Sequence, residues 1–276
     1  MLFACKAKRF MASMVATPQD PKFWVFIPAR RKSTRFPNKV MAPILGKPMV
    51  VHVYERVVQA VSESQHVFIL ADDLENFAAL EKFTSQVLMT SLHCRNGSER
   101  CLDAASRLDV AAEDVILNIQ ADEPLISHSH IHALQDPFKR GLLSGDFVST
   151  VVTPIQHMSE LADPNRVKVK IDSSNCAEWF CRELPEHQKE IMYNHIGLYG
   201  YRRSTLQRYV TLPVPESESE QRLEQLRFLS NGIPVYCGVC KEATVAVDTP
   251  EDLERVRKIL SVSVTEPRQI TPEAIN

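Results

Sequence analysis

The stretch FWVFIPARRKSTRFPNK (residues 23–39) joins an apolar run directly to a cluster of cations. The run FWVFIPA (23–29) has the length and the apolar composition of a strand buried on both faces of a parallel sheet. The loop after it carries the fixed positive charges Arg30, Arg31, Lys32, Arg35 and Lys39. The stretch therefore predicts a buried strand whose carboxyl end opens into a cationic loop.

Downstream of this loop, predicted helices and strands alternate. Helices are predicted over 49–61, 74–83 and 98–108, and buried strands over 66–73, 86–91 and 114–124. Repeated strand–helix–strand units indicate an α/β fold with an open, mostly parallel, Rossmann-like sheet flanked by helices. Ligands of such sheets bind beyond the carboxyl ends of the strands. We therefore expect the cationic loop, the pair Asp72–Asp73 and the segments 90–100 and 120–124 to share one edge.

The second half of the chain has a less regular pattern. Strands are predicted at 147–155, 165–172, 177–184, 194–202, 233–240 and 244–247, and helices at 203–210, 216–232 and 249–260. Ser217 or Ser219 is the candidate cap of the helix over 216–232. With no linker in the pattern, we predict a single domain over 22–262, a disordered extension over 1–21 and a flexible tail over 263–276.

Composition and charge exclude several protein classes. A net charge of −2 argues against a protein that coats nucleic acid, and no apolar run is long enough to span a membrane. The first residues lack the apolar core of a signal peptide, which leaves a weak targeting segment or initiation at Met11 or Met14 as alternatives. Seven cysteines indicate a reducing, cytoplasmic compartment. Cys237 and Cys240 form a C-x-x-C spacing on a predicted strand, where residues three apart point to opposite faces.

Two acidic segments complement the cationic loop. Asp122 and Glu123 follow one predicted strand, and Asp248 follows another. Mg²⁺ commonly takes one or two carboxylates together with phosphate oxygens, and clustered Arg and Lys suit a triphosphate. The alternatives are that Asp248 caps a helix, that Asp122 belongs to a turn, and that the cationic loop is solvated or binds RNA.

Six motifs in order resemble one family. They are IPARRKSTRFPNK, GKPMVVHVYERV, NIQADEPLI, HIGLYGYRR, LEQLRFL and VDTPEDLERVR, and they extend from about residue 23 to about residue 260. Together they resemble the 3-deoxy-manno-octulosonate cytidylyltransferases, the CMP-Kdo synthetases of lipopolysaccharide biosynthesis. The resemblance implies a cytoplasmic, Mg²⁺-dependent homodimer whose second half carries sugar-binding and dimerisation elements. It implies that the anomeric 2-hydroxyl of Kdo attacks the α-phosphorus of CTP, which gives CMP-Kdo and pyrophosphate.

The resemblance also implies roles for individual residues. Arg30, Ser33, Arg35 and Lys39 match positions that hold CTP, Gln120 matches the contact to cytosine or ribose, Asp122 and Asp248 match the metal ligands, and Arg100, Arg182, His195, Tyr199, Glu224 and Gln225 match positions around the acidic sugar. Arg30, Lys39, Asp122 and Asp248 form the implied catalytic set. Without the resemblance, His195 and Tyr199 could be core-edge residues of a strand, and Glu224 and Gln225 could lie on a solvated helix face.

The chain departs from the family pattern at several positions. Asn38, Ala121 and Ala246 stand where the family usually has Gly, Cys94 replaces a His, and Asn96 replaces a Ser. A β-carbon at Ala121 is expected to crowd the nucleotide, because Gly often marks close backbone approach.

The sequence leaves two alternatives to the activation of Kdo. One is CMP activation of an amino-Kdo or sialic-acid-like sugar, and the other is a degenerate nucleotide-binding scaffold.

Overall fold

The computed structural model describes residues 21–31, 36–184 and 192–265. Ser33 and Arg35 of the cationic loop lie outside the described residues, as does the predicted extension up to residue 20. Among the helices described, none is long and apolar enough to cross a membrane.

The strands and helices of the described residues follow in chain order. The strands are β1 (Phe23–Ala29), β2 (Pro43–Ile44), β3 (Lys47–Pro48), β4 (Val67–Ala71), β5 (Val87–Met89), β6 (Val115–Asn118), β7 (Val148–Pro154), β8 (Lys168–Ile171), β9 (Ala177–Cys181), β10 (Tyr193–Arg202) and β11 (Val235–Val239). The helices are α1 (Met49–Ala60), α2 (Leu74–Leu80), α3 (Gly97–Arg107), α4 (His128–Lys139), α5 (Met158–Ala162), α6 (Arg203–Tyr209), α7 (Glu216–Gln221), α8 (Gln225–Ser230) and α9 (Pro250–Thr265).

The central sheet is mostly parallel, as the strand–helix rhythm predicts. Its order is β11-β7-β10-β6-β1-β4-β5, and β8 and β9 extend it beside β10. Strands β5, β4, β1 and β6 are mutually parallel, whereas β10 runs antiparallel to both β6 and β7. The carboxyl ends of β1, β4 and β6 therefore meet at one edge, which confirms the predicted common edge for the polar segments that follow these strands.

The sheet separates two apolar layers. Along β1, Val25 and Ile27 pack into one core and Phe26 into the other, because successive side chains of a strand point to opposite faces. Helices α1 and α4 cover the first face, and α3, α6 and α8 cover the second. Cys237 and Cys240 lie in different cores, which confirms the prediction that this C-x-x-C pair points to opposite faces.

Three secondary-structure predictions in the second half are wrong. The single helix over 216–232 is two short helices, because Arg222 adopts a left-handed conformation (φ 55°) between them, and Pro215, not Ser217 or Ser219, precedes the first. The predicted strand over 244–247 is irregular backbone that lies beside the turn after β6. The final helix continues to Thr265, which shortens the predicted tail. Helix α4, which the sequence pattern did not predict, buries Ile131 and Leu134.

Candidate active site

A cavity of about 570 Å³ opens at the carboxyl edge of the sheet. Strands β1 and β6 supply Arg30, Gln120 and Asp122 from the segments after their ends, and β7 and β10 supply Thr153, His195 and Tyr199. Further parts of the wall come from the segment around the start of α8 and from the irregular segment before α9. These parts of the wall include Glu224, Gln225, Thr244, Ala246 and Asp248. Polar side chains from both halves of the chain thus face one space.

The two predicted metal aspartates converge on one cation. Lys39 Nζ lies 2.6 Å from Asp122 Oδ2 and 2.8 Å from Asp248 Oδ1. Burial disfavours the charged lysine, but the charges and hydrogen bonds of the two carboxylates outweigh it and raise the pKa of Lys39. The oxygens of the two carboxylates therefore lie close enough together to share one cation, here the Lys39 ammonium.

Hydrogen bonds to the turn after β6 fix the position of Asp248. Val247 N donates to Asp122 O over 2.9 Å, and Thr244 Oγ1 donates to Glu123 Oε2 over 2.8 Å. Glu123 is buried, and burial together with the adjacent Asp122 charge raises its pKa to about 8. The residue at the cap position of α9 is Thr249 and not Asp248, because Thr249 Oγ1 accepts from Asp252 N over 3.2 Å and Thr249 N donates to Asp252 Oδ2 over 2.9 Å.

A β-bulge in β10 shapes the wall predicted to face the sugar. The register with β7 shifts between Ile196 and Tyr199, and the Thr150 hydroxyl fills the irregularity by donating to the carbonyl of Leu198 over 2.7 Å. Thr150 Oγ1 also lies 2.9 Å from His195 Nε2. A neutral His195 that carries its proton on Nε2 donates to this hydroxyl, which leaves the hydroxyl proton for the carbonyls of Ile196 and Leu198 and leaves Nδ1 as an acceptor. Burial lowers the pKa of His195 to about 3, so the ring is neutral.

The amide of Gln225 retains donor capacity at the cavity. Tyr199 donates its hydroxyl proton to Gln225 Oε1 over 3.0 Å, while the buried Gln225 Nε2 contacts no acceptor among the described residues. Buried polar atoms are almost always hydrogen-bonded, so such an atom on a cavity wall is suited to a polar ligand. Glu224 accepts from Ser98 Oγ over 3.0 Å, and burial raises its pKa.

Two departures from the family pattern have structural explanations. Asn38 has a φ of 52°, a conformation that favours Gly and that Asn tolerates, and its amide exchanges hydrogen bonds with the Asn76 amide. Asn96 caps α3 by accepting from Glu99 N over 2.8 Å. Ala121 is buried in the core and does not line the cavity, so its β-carbon does not crowd that space as expected. Ala246 does line it.

Two arginines of the predicted sugar set are engaged by protein groups. Arg100 is 1% exposed, lies off the cavity wall, and donates to Thr90 Oγ1 over 2.6 Å and to Asp72 Oδ2 over 3.2 Å. Arg182 lines the cavity, but its Nε donates to the carbonyl of Gln221 over 2.8 Å. Arg182 therefore also braces the break between α7 and α8.

Many residues of the cavity wall were not among the predicted site residues, and they include the polar side chains of Glu123, Arg222, Thr244 and Arg255. Glu123 stands beside a predicted metal ligand, which was an available signal. Arg222 and Thr244 lie in segments predicted as helix and strand, where the pattern gives no reason to single them out. Arg255 lies two turns of helix beyond Asp248, a spacing that could have been noticed.

The sequence of this chain matches a family model. The model, described as cytidylyltransferase, covers residues 24–242. This chain belongs to the cytidylyltransferase family. It is therefore a nucleotidyltransferase, and the site described above is the candidate active site of that enzyme.

Relatives with specific names cover most of the chain. The 8-amino-3,8-dideoxy-manno-octulosonate cytidylyltransferase of Shewanella baltica (strain OS155) is 37% identical over 86% of this chain and 98% of its own length. The 3-deoxy-manno-octulosonate cytidylyltransferase of Chlorobium limicola is 37% identical over 86% of this chain and 96% of its own. A solved CMP:2-keto-3-deoxy-manno-octonic acid synthetase in complex with CTP is 33% identical, with a TM-score of 0.79, over 88% of this chain and 99% of that chain.

Proposed function

We propose that this cytidylyltransferase transfers CMP from CTP to the anomeric 2-hydroxyl of 3-deoxy-D-manno-octulosonate, with release of pyrophosphate, as a step of lipopolysaccharide biosynthesis. The observation that carries the proposal is that a pair of aspartates and a set of neutral hydrogen-bonding side chains line one cavity. Asp122 and Asp248, which both accept hydrogen bonds from Lys39, line the same cavity as His195, Tyr199 and Gln225. The motif resemblance and the named relatives support the same reaction.

Lys39 and Arg30 act on the phosphates in this proposal. Lys39 is a mobile point charge that can leave the aspartates for a phosphate oxygen, and Arg30 offers a planar fork at the end of β1. Nucleotidyl transfer depends mainly on positioning and on neutralising charge, which this arrangement provides. Ser33 and Arg35 remain predicted members of the same loop, and Gln120, on the cavity wall, remains the predicted contact to cytosine or ribose.

Asp122 and Asp248 are the residues that would hold Mg²⁺. Their oxygens converge on one ammonium, and the donor set of two carboxylates suits a metal that also takes phosphate oxygens and water. When bound, the metal neutralises phosphate charge and acidifies a hydroxyl. The protein itself holds the two carboxylates together through the hydrogen bond from Val247 N to Asp122 O.

The sugar wall consists of neutral hydrogen-bonding groups with one adjacent carboxyl. His195 Nδ1 accepts, Gln225 Nε2 donates, and Glu224 lies beside them, which matches the mixed donors and acceptors of a polyhydroxylated sugar. The neutral His195 orients the sugar without taking a proton, because its pKa of about 3 is far below neutral pH. Arg182 remains the predicted cationic contact for the sugar carboxylate.

Pyrophosphate release with purified protein, CTP, Mg²⁺ and Kdo tests the proposal. We expect turnover with the wild type and its loss in Asp122→Asn. Nucleotide binding by calorimetry without turnover of any acidic sugar would support the scaffold alternative and refute the proposal.

A second candidate substrate is 8-amino-3,8-dideoxy-manno-octulosonate. The Shewanella baltica relative, named for this sugar, is as similar to the chain as the Chlorobium limicola relative named for Kdo. Comparing kcat/KM for the two sugars in the same assay decides between them. A homodimer and a cytoplasmic location are further predictions of the proposal, and light scattering of the purified protein tests the first.

A further inference from the structure

The segment that carries Asp248 is not held by the regular backbone hydrogen bonds of a sheet or a helix. Residues 241–249 form neither strand nor helix, and Asp248 lies two residues before α9 begins at Pro250. Backbone outside regular structure takes its position from individual contacts. The position of the Asp248 carboxylate relative to Asp122 therefore depends on individual contacts. They include the burial of Val247, the bonds of Glu242 to the start of α4, and hydrogen bonds from this segment to the turn after β6.

Two such bonds join the segment to that turn. The backbone bond, Val247 N to Asp122 O, spans 2.9 Å. The side-chain bond, Thr244 Oγ1 to Glu123 Oε2, spans 2.8 Å and is sheltered, since Glu123 is only 6% exposed. Because Thr244 and Val247 lie three residues apart and their partners are adjacent, the two bonds together restrict both shift and rotation of the segment.

We propose that Glu123 and Thr244 form a positioning pair that holds Asp248 opposite Asp122 and thereby sets the affinity of the two carboxylates for a divalent cation. The proposal rests on the proposed function, in which these aspartates bind the metal. Mg²⁺ requires near-ideal octahedral geometry with short contacts, so a displaced carboxylate binds it poorly. Residues that orient metal ligands typically change metal affinity by about 10- to 100-fold when they are replaced.

Thr244 allows the role of its hydroxyl to be separated from its shape. Thr244→Val removes the donor and keeps the volume, whereas Thr244→Ser keeps the donor. Thr153→Val deletes a hydroxyl from another threonine of the same cavity, on β7, and serves as the matched control. Glu123→Ala removes the acceptor, and Glu123→Gln keeps an oxygen that Thr244 can reach.

Mn²⁺ is the probe, and the electron paramagnetic resonance signal of free Mn²⁺ reports binding to the full chain. We expect the dissociation constant to rise about tenfold in Thr244→Val and in Glu123→Ala, and to change less than about threefold in Thr244→Ser, Glu123→Gln and Thr153→Val. The double variant Thr244→Val with Glu123→Ala is expected to bind Mn²⁺ no more weakly than either single variant, because the two substitutions remove the same hydrogen bond. In the CTP and Kdo assay, the metal concentration for half-maximal rate should rise in Thr244→Val while kcat at saturating metal stays within about twofold.

Equal Mn²⁺ affinity of wild type and Thr244→Val, or equal loss in Thr244→Val and Thr244→Ser, overturns the positioning role. A loss of kcat that saturating metal does not restore also overturns it, because it indicates a general structural defect. Failure of the proposed function is recognised separately. If Mn²⁺ binding depends on Thr244 and Glu123 as expected but the wild type turns over no acidic sugar, the proposed function is refuted and the positioning pair is supported.

Discussion

Replacing Lys39 by Met separates the electrostatic role of the lysine from its volume. Lys39 is 13% exposed, and its partners Asp122 and Asp248 are 24% and 34% exposed. Breaking a fully buried ion pair costs about 3–5 kcal/mol, and an exposed pair is worth about 0.2–1 kcal/mol. This site lies between those limits, so we expect Lys39→Met to lower the free energy of unfolding by about 2 kcal/mol. For a chain of this size that corresponds to a decrease in Tm of about 4–8 °C.

The same variant should respond more strongly to a divalent cation. In the wild type, Mg²⁺ must displace the Lys39 ammonium from the two carboxylates, whereas in Lys39→Met it meets two uncompensated negative charges. Mg²⁺ at about 100 times its dissociation constant stabilises a folded protein by about 2.7 kcal/mol, which is enough to offset the loss. Turnover should nevertheless fall in Lys39→Met at every Mg²⁺ concentration, because the phosphates lose a cation.

Thermal unfolding with and without Mg²⁺ measures both effects. Lys47→Met is the matched control, because Lys47 pairs with Glu55 over 2.6 Å but is 45% exposed, and it should cost less than about 1 kcal/mol and not respond to Mg²⁺. Equal Tm decreases in the two variants, or an equal gain from Mg²⁺ in wild type and Lys39→Met, would refute the view that Lys39 occupies the place of a cation.

Three further substitutions test other parts of the structure. Arg222→Gly should unfold about 2–8 °C above Arg222→Ala, since a left-handed residue other than Gly costs about 1–2 kcal/mol, and equal melting would contradict that strain. Arg227→Met should destabilise by about 3 kcal/mol in urea unfolding, because it leaves the buried Glu218, now paired over 2.5 Å, without a cation, and a loss below about 1 kcal/mol would count against this. His195→Gln should flatten the acid dependence of stability. The unfolded chain protonates His195 near pH 6.5, whereas the folded chain holds the ring neutral down to about pH 3. The stability of the wild type therefore decreases as the pH is lowered from about 6.5 to about 3, by up to about 1.4 kcal/mol per pH unit. An unchanged slope in His195→Gln would exclude that account.

The sequence predicted the features that depend on local pattern and regular geometry. Strand β1 was predicted with its observed bounds, and the parallel pairing that follows brings the segment after β6 to the edge where Lys39 lies. The convergence of Asp122 and Asp248 was expected only through the motif resemblance, because no local signal places residues so far apart in the chain on one cation. The break at Arg222 could not be predicted, since a left-handed arginine opposes its own backbone preference and is imposed by tertiary contacts such as the bond from Arg182 to Gln221.

Arg100 illustrates a limit of transfer by motif. The motif resemblance implies that Arg100 contacts the sugar. In this chain, however, its side chain is buried against Asp72 and Thr90. Motif position specifies where a side chain begins, whereas the partners within reach decide where a long and flexible side chain ends. Shorter side chains, such as that of Asp122 in the turn after β6 and that of His195 on β10, are fixed more closely by the backbone.

The antiparallel strand β10 has a consequence for synthesis of the chain on the ribosome. All of β6 is buried, and β10 covers one of its edges, but β10 begins only at Tyr193, long after β6 ends at Asn118. Until β10 has emerged, the nascent chain exposes an apolar strand edge of the kind that pairs with other chains and aggregates. A fragment that ends before Tyr193 retains Lys39 and Asp122 but keeps this edge open, so we expect the part of the chain before Tyr193 not to form a stable module by itself.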